Sequence, residues 1–176
     1  MKQTKTILTI GFMLLTSSIY SQKFEGQKFE NYPAKILSVQ KAKLNLSSNK
    51  LGKTFRTAIT EGYKNGKINF GGHYIVIFWG AGAGMSDGAM VDTRTGIIYN
   101  LPLTEENSYR GATGYEENEN IKYEANSYLF TCYSSEYKKS ETAKIELNYF
   151  FYKFDEKTKK FKLISNKKKT VENKDK

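Results

Sequence analysis

Three side chains in this sequence could together perform nucleophilic catalysis. They are His73, Ser86 and Asp87. His73 is the only histidine in the chain, so it is the only imidazole that could accept a proton from the Ser86 hydroxyl. The two side chains would have to come within hydrogen-bond reach, which requires the loop before Ser86 to fold back along the preceding strand. A small hydrolase built on these residues is therefore an alternative hypothesis, and a lone histidine at the start of a strand favours a structural role.

Glycines are concentrated in the stretch FWGAGAGMSDG, which begins at Phe78. Gly80, Gly82 and Gly84 have the alternating spacing seen in some phosphate-binding loops. Such a loop needs a helix to begin directly after the glycines, because the amides at the helix N-terminus bind the phosphate. Here a strand-like segment follows, and no Gly-Lys-Ser/Thr sequence is present. The pattern predicts a tight connection between two strands, whose glycines adopt backbone angles that other residues cannot.

The sequence does not favour a metal site or a cofactor. A zinc site usually takes four His, Cys or carboxylate ligands, and this chain has one histidine and one cysteine. Asp87, Asp92 and Glu105 could line a calcium site but lack the spacing of an EF-hand, and the acidic run at 116–120 could bind calcium weakly but favours a solvated loop. The single cysteine, Cys132, cannot form an internal disulfide and lies in an apolar run. We therefore predict no metal, no cofactor and a buried, unreactive thiol.

The first 21 residues have the pattern of a secretory signal peptide. Lys2 and Lys5 precede an apolar run over residues 7–15, and small and polar residues follow as far as Ser21. The apolar run is shorter than the roughly 20 residues that span a bilayer. We predict cleavage after Ser21, export to a periplasm, a single domain over residues 22–165 and no membrane span.

Positive charge is concentrated at the C-terminal end. The whole chain carries a net charge of +10, and residues 156–176 alone carry +6. The rest of the predicted domain is close to neutral, which disfavours a basic face for nucleic acid. We predict that residues 166–176 form a disordered basic tail. Such a tail usually solvates the chain end, but it could also attach the protein to an anionic envelope polymer.

Periodicity predicts one helix followed by many strands. Ser47 and Ser48 offer an N-cap, and apolar or small residues then recur on one face of a helix over residues 49–64. Residues 73–79 form an apolar, β-branched run typical of a buried strand, and a hairpin turn ends at Gly96. Further alternating segments follow as far as residue 164. The predicted fold is α+β, with one N-terminal amphipathic helix packed on an antiparallel meander of about six or seven strands.

Several motifs together resemble those of a family of small exported bacterial proteins of unknown function. The segments are Asn69-Phe70-Gly71-Gly72-His73-Tyr74, then Trp79-Gly80-x-Gly82-x-Gly84, then Gly88-Ala89-x-x-Asp92-x-x-Thr95-Gly96. The family pattern has cysteines where this chain has Ala81 and Met85, so a disulfide across that loop is absent here. The resemblance implies an exported single domain with a structurally demanding loop, and it implies no reaction. The signal segment ending in Ser-Gln is also similar to those of Bacteroidota proteins.

The leading functional hypothesis is an exported, monomeric, non-enzymatic binding module, such as an inhibitor, an immunity-type protein or an envelope accessory protein. Its expected partner is an envelope protein or an anionic envelope polymer, and not nucleic acid. The residues expected to contact that partner surround the glycine loop: Trp79, Gly80, Gly82, Gly84, Asp87 and Arg94. This hypothesis predicts an exposed aromatic or charged concavity near Trp79.

Overall fold

Two antiparallel sheets form most of the structure, a computed structural model that describes residues 26–82, 84–115, 119–139 and 141–175. The predicted signal peptide over residues 1–21 lies outside these ranges. The first sheet has the strand order β1-β2-β3, and the second has the order β4-β5-β6-β7. Within the described ranges, no helix has both the length and the apolar character needed to cross a membrane.

The first sheet contains β1 (Tyr74–Gly82), β2 (Met85–Asp92) and β3 (Ile98–Asn100). The β-branched run in β1 supplies a strand that is buried on both faces over its first four residues. The predicted hairpin turn between β2 and β3 is confirmed, and the Gly96 amide donates to the Asp92 carbonyl at 2.8 Å. Gly96 has a φ of +72°, which glycine adopts without a steric penalty.

The second sheet contains β4 (Ile121–Tyr123), β5 (Leu129–Lys138), β6 (Glu141–Asp155) and β7 (Lys160–Glu172). The Asp155 carboxylate accepts hydrogen bonds from the amides of Lys157 and Thr158, and these bonds form the tight turn between β6 and β7. The register of β6 on β7 shifts between Phe151 and Tyr152. The extra residue of this bulge is Ile164 of β7, because Phe151 pairs with Ser165 and Tyr152 pairs with Leu163.

The two sheets pack face to face around an aromatic core. This core includes Tyr74, Val76 and Met90 from the first sheet and Phe130 and Phe150 from the second. A second core cluster lies on the opposite face of the first sheet, where Ile59 and Tyr63 of a helix pack against it. A third covers the outer face of the second sheet, around Leu129 and Tyr133. Cys132 is buried in the aromatic core, and burial raises the pKa of its thiol, as expected for an unreactive cysteine.

The predicted α+β fold with one N-terminal helix on a single meander is wrong. The segment predicted as one helix over residues 49–64 forms two short helices, α1 (Lys50–Thr54) and α2 (Arg56–Asn65). They are separated at Phe55, whose φ of −112° and ψ of 37° are not helical. The strands form two sheets, so the fold is mainly β, with α1 and α2 covering one face of the smaller sheet.

The predicted disordered tail is also corrected by the structure. Residues 166–172 form the second half of β7 and pair with residues 144–150 of β6. The pairing was hidden in the sequence because this half of β7 carries three consecutive lysines, Lys167, Lys168 and Lys169. Lysines are common on edge strands, where they discourage pairing with another chain.

The first part of the polar connection after β3 is helical. It contains a short helix, α3 (Glu105–Ser108), which begins with a capping box formed by Thr104 and Asn107. Asn107 is buried and also donates hydrogen bonds to the Pro102 carbonyl and the Tyr152 hydroxyl. Residues 104–108 therefore pack on the second sheet.

Candidate functional site

The glycine loop connects β1 to β2, as the sequence predicted. Gly80 pairs with Ser86, and Gly82 pairs with Met85 after a register shift. Gly82 and Gly84 have φ values of +81° and +76°, so this turn requires glycine at both positions. No helix begins after the glycines, and the loop has no helix N-terminus with which to bind a phosphate.

Trp79 faces the helices and not a ligand surface. Its ring stacks on Phe55 with centroids 4.4 Å apart, beside the core cluster formed with α2. Its indole nitrogen is buried and has no hydrogen-bond partner within the described structure. Trp79 thus packs against the Phe55 ring where α1 ends, and its contact with a partner stays a prediction.

The structure separates His73 from Ser86. His73 directly precedes β1, whereas Ser86 pairs with Gly80 near the far end of the same ladder. Seven residues of a strand span about 23 Å at about 3.3 Å each. Gly84, Ser86 and Gly88 match the Gly-x-Ser-x-Gly spacing of hydrolases, but that motif acts at a sharp turn from a strand into a helix, and Ser86 lies within β2.

Asp87 does not complete a catalytic arrangement either. It pairs with Trp79 in the ladder, one residue from Ser86 and therefore on the opposite face of the sheet. Its carboxylate accepts a hydrogen bond from the adjacent Gly88 amide at 2.7 Å. The three residues of the hydrolase hypothesis thus make no catalytic contact with one another.

Six polar side chains instead meet between the two sheets, at the start of β1, and we call them the inter-sheet polar cluster. Its members are His73, Tyr74, Asp92, Arg94, Glu156 and Lys159. Four come from the first sheet and its hairpin turn. Glu156 and Lys159 come from the turn between β6 and β7, so the cluster joins the two sheets.

Arg94 bridges the two carboxylates of this cluster. Its guanidinium donates to both Asp92 oxygens, at 3.0 and 2.7 Å, and to Glu156 Oε1 at 2.9 Å. Burial alone would raise the pKa of Asp92, but the hydrogen bonds from Arg94 outweigh burial, and the pKa lies below its usual value. Arg94 was expected to contact a partner, and the structure instead engages it in these internal bonds.

The Tyr74 hydroxyl lies between the charges contributed by the second sheet. It donates to Glu156 Oε2 at 2.7 Å and accepts from Lys159 Nζ at 2.8 Å. Lys159 also bonds to Glu156 Oε1. Burial, together with the bond to Glu156, raises the pKa of Tyr74, so the phenol remains protonated.

His73 is neutral within this cluster. Its side chain is 3% exposed, and Nε2 lies 3.2 Å from Glu156 Oε1 without hydrogen-bond geometry. The charges of Asp92 and Glu156 are already balanced by those of Arg94 and Lys159. Burial therefore outweighs the two carboxylates and lowers the pKa of His73. The cluster fixes the two sheets together, since its charged side chains already bond to one another.

A cleft of about 850 Å³ lies where the edges of the two sheets approach each other. We call it the edge cleft. It is lined by Phe29, Ile68, Asn69, Phe78 and Ser86 and by residues 119–125. The Phe78 and Tyr123 rings lie within it, with centroids 5.8 Å apart. It is thus close to the glycine loop, on the face opposite Trp79, and its volume falls within the range of about 300–1,000 Å³ typical of ligand sites.

Backbone groups of β4 point into the edge cleft. The Tyr133 amide of β5 donates to the Asn120 carbonyl, and hydrogen-bonded pairs alternate along an antiparallel ladder. The next hydrogen-bonded pair is therefore Lys122 and Thr131, whose backbone N–H and C=O groups bond to each other. The N–H and C=O groups of Ile121 and Tyr123 point away from β5. Since β4 is the terminal strand of its sheet, these groups face the cleft.

The opposite wall of the cleft is the edge of β1, which is partly covered by the chain itself. The Asn69 side chain donates to the Val76 carbonyl and accepts from the Val76 amide, as a neighbouring strand would. The Thr93 amide bonds to the His73 carbonyl at the start of the β1–β2 ladder. Hydrogen-bonded and non-hydrogen-bonded pairs alternate along that ladder. The N–H and C=O groups of Phe78 therefore point away from β2. The cleft is therefore lined by aromatic rings, polar side chains and backbone groups from two sheets.

Sequence reasoning could not identify the main parts of either site. Glu156, Lys159 and Tyr74 belong to the polar cluster only through contacts between distant segments, and β4 is a short strand of three residues. The one available signal was the predicted concavity near the glycine loop. No group of three or more His, Cys, Asp and Glu side chains in the described ranges could hold a metal ion. Comparisons with family models, curated proteins and solved structures found no match.

Proposed function

We propose that this protein is an exported, non-enzymatic binding module whose ligand occupies the edge cleft. The observation that carries this proposal is the composition of the cleft: the Phe78 and Tyr123 rings beside backbone groups of Ile121 and Tyr123 that point away from β5. Ligand sites commonly combine apolar walls with a few placed polar groups. Export rests on the signal pattern over residues 1–21.

A binding role accounts for the arrangement better than catalysis does. The His73 imidazole is buried among charges that already balance one another, and it is remote from Ser86. Nucleophilic catalysis needs a base within hydrogen-bond reach of the hydroxyl. Ser86 does line the edge cleft, where its hydroxyl can contact a ligand.

Chemical-shift mapping of the isotope-labelled protein (residues 22–176) tests this proposal. Short peptides, oligosaccharides and phosphorylated metabolites are titrated separately. At least one class should shift the resonances of Phe78, Ser86 and residues 121–123. Ser86→Phe, which fills the cleft, should abolish the shifts, because its new ring occupies the ligand volume. Thr170→Phe places the same ring on exposed β7 and should leave binding unchanged.

Two results would contradict the proposal. One is that no ligand class perturbs the cleft resonances. The other is that Ser86→Phe binds every active compound as well as the wild type does, which would place the ligand elsewhere on the molecule.

A further inference from the structure

We propose, resting on the function inferred above, that the ligand of the edge cleft is an extended peptide with basic ends, which adds as a further strand to the free edge of β4. The proposal assigns a chemical class of partner to the cleft. It is carried by the backbone groups on the cleft wall, by the state of the other sheet edges and by the charges at the two ends of β4.

The wall formed by β4 matches the hydrogen-bonding pattern of a peptide strand. Ile121 and Tyr123 each direct one N–H and one C=O away from β5. Residues two apart on a strand are separated by about 6.8 Å, and an incoming strand repeats its own donors and acceptors at this distance. A sugar or a planar heterocycle does not repeat donor and acceptor pairs in this way. Addition of a strand to an exposed edge is a known mode of peptide recognition.

The other edges of the two sheets are partly covered by side chains or carry positive charge. At β3, the Ile98 amide donates to the Ser48 hydroxyl, and the Asn49 side chain donates to the Ile98 carbonyl. At β1, the Asn69 side chain occupies both backbone groups of Val76. The edge of β7 carries the lysines at 167–169, which discourage strand pairing. Among the described residues, no side chain bonds to the backbone groups of Ile121 and Tyr123, whereas Asn69 occupies part of the edge of β1.

The side chains around β4 indicate the composition of the peptide. Phe78 and Tyr123 offer an aromatic surface to an apolar residue at the centre of the bound strand. Glu119 and Glu124 lie at the two ends of this wall, and both are exposed. Their carboxylates favour a peptide with a basic residue toward each end.

The probe is a pool of acetylated and amidated heptapeptides with lysine at both ends and apolar or threonine residues between them. Members that are retained on the immobilised protein are sequenced, and the tightest is resynthesised in two N-methylated forms. One form is methylated at the alternate amides that face β4, and the other at the remaining amides. The first should bind at least about tenfold more weakly, because each methyl removes a hydrogen bond to the edge. The second should bind within about twofold of the parent.

A variant of the protein tests the charge argument. Glu124→Lys should weaken the binding of the parent peptide severalfold at low salt. The loss of affinity should be smaller at high salt, since salt screens charge repulsion at an exposed site. Glu61→Lys makes the same change on exposed α2, away from the cleft, and should leave affinity unchanged.

Each remaining outcome decides against strand addition. The proposal fails if no pool member binds the wild type better than it binds Ser86→Phe, or if both N-methylated forms lose affinity equally. It also fails if an oligosaccharide or a phosphorylated compound occupies the cleft while no peptide does. In that last case the binding function stands and only the peptide assignment is lost.

Discussion

At the scale of single residues, the inter-sheet polar cluster shows how one buried histidine is held neutral. Asp92 and Glu156 carry negative charge, and Arg94 and Lys159 neutralise it through the bonds described above. A proton on His73 would give the cluster an uncompensated charge in a buried position. Protonation of His73 at acidic pH should therefore destabilise the folded protein.

The free energy of unfolding should fall as the pH falls below about 6.5, the ordinary pKa of histidine. The folded protein has a lowered His73 pKa, so in this range the unfolded chain binds more protons than the folded chain. The slope should reach at most about 1.4 kcal/mol per pH unit. Urea unfolding of the wild type and of His73→Gln, measured from about pH 8 to about pH 3, tests this expectation.

In His73→Gln, the free energy of unfolding should no longer fall just below pH 6.5. It should still fall at lower pH. The second decline comes from Asp92 and Glu156, whose pKa values lie below their usual 3.8 and 4.5 in the folded state. Their contribution is present above those values and is lost as the carboxylates become protonated. Equal slopes for the two proteins between pH 6.5 and 5 would contradict the account.

Residue types in the sequence identified some individual positions and missed their partners. Cys132 was predicted to be buried because its neighbours are apolar, and this is confirmed. Arg94 was singled out from the same turn as Asp92, but nothing local in the sequence indicates that Arg94 also bonds to Glu156. A contact across 62 residues depends on how the two sheets pack, and periodicity carries no information about that.

At the scale of elements, the turn at Gly96 depends on the chain that runs beside it. The Asn45 amide donates to the Gly96 carbonyl, and a Cβ built on Gly96 would lie only 2.0 Å from the Lys43 carbonyl oxygen. Gly96→Ala should therefore lower the free energy of unfolding by about 1–3 kcal/mol, through the clash and the strained φ. Thermal and urea unfolding measure the change.

Gly80→Ala is the matched control for this substitution. No heavy atom lies within 4 Å of a Cβ built on Gly80, and its φ is not in the positive range. The change should stay within about 0.5 kcal/mol. If both variants lost similar stability, the hairpin turn would not be held by the segment around Lys43.

Truncation after Ser165 should destabilise the protein, because residues 166–172 belong to β7. Several ladder hydrogen bonds, each contributing about 0.5–1.5 kcal/mol net, predict a loss of about 3 kcal/mol or more. Replacing Lys167, Lys168 and Lys169 together by serine keeps the backbone and serves as the control, with little change expected in urea unfolding. Unchanged stability after truncation would instead support the tail expected from composition.

Local pattern predicted where strands and turns begin more reliably than it predicted their partners. The buried strand before the glycine loop and the hairpin ending at Gly96 depend on a short apolar run and on turn chemistry, and both are confirmed. The predicted helix is interrupted at Phe55, whose ring stacks on Trp79 of β1, a contact that no local window of the sequence contains. The division into two sheets depends on long-range pairing, which no local window contains.

At the scale of the whole molecule, the two sheets bring two strand edges to one side of the structure. The edge of β1 is partly covered by Asn69, whereas the edge of β4 faces an open cleft. Natural β proteins usually cover or charge their edges to avoid association with other chains. An uncovered edge with an aromatic wall is therefore the feature of this molecule that points most directly to a partner.

Residue-by-residue amide hydrogen exchange tests that central claim most directly. In the free protein, the Lys122 amide should exchange slowly, and those of Ile121 and Tyr123 should exchange rapidly, because only Lys122 bonds to β5. Saturation with the tightest heptapeptide should slow exchange at Ile121 and Tyr123 and leave exposed Thr170 on β7 unchanged. The account would be contradicted if Ile121 and Tyr123 were as protected as Lys122 in the free protein, or if saturating peptide left their exchange unaltered.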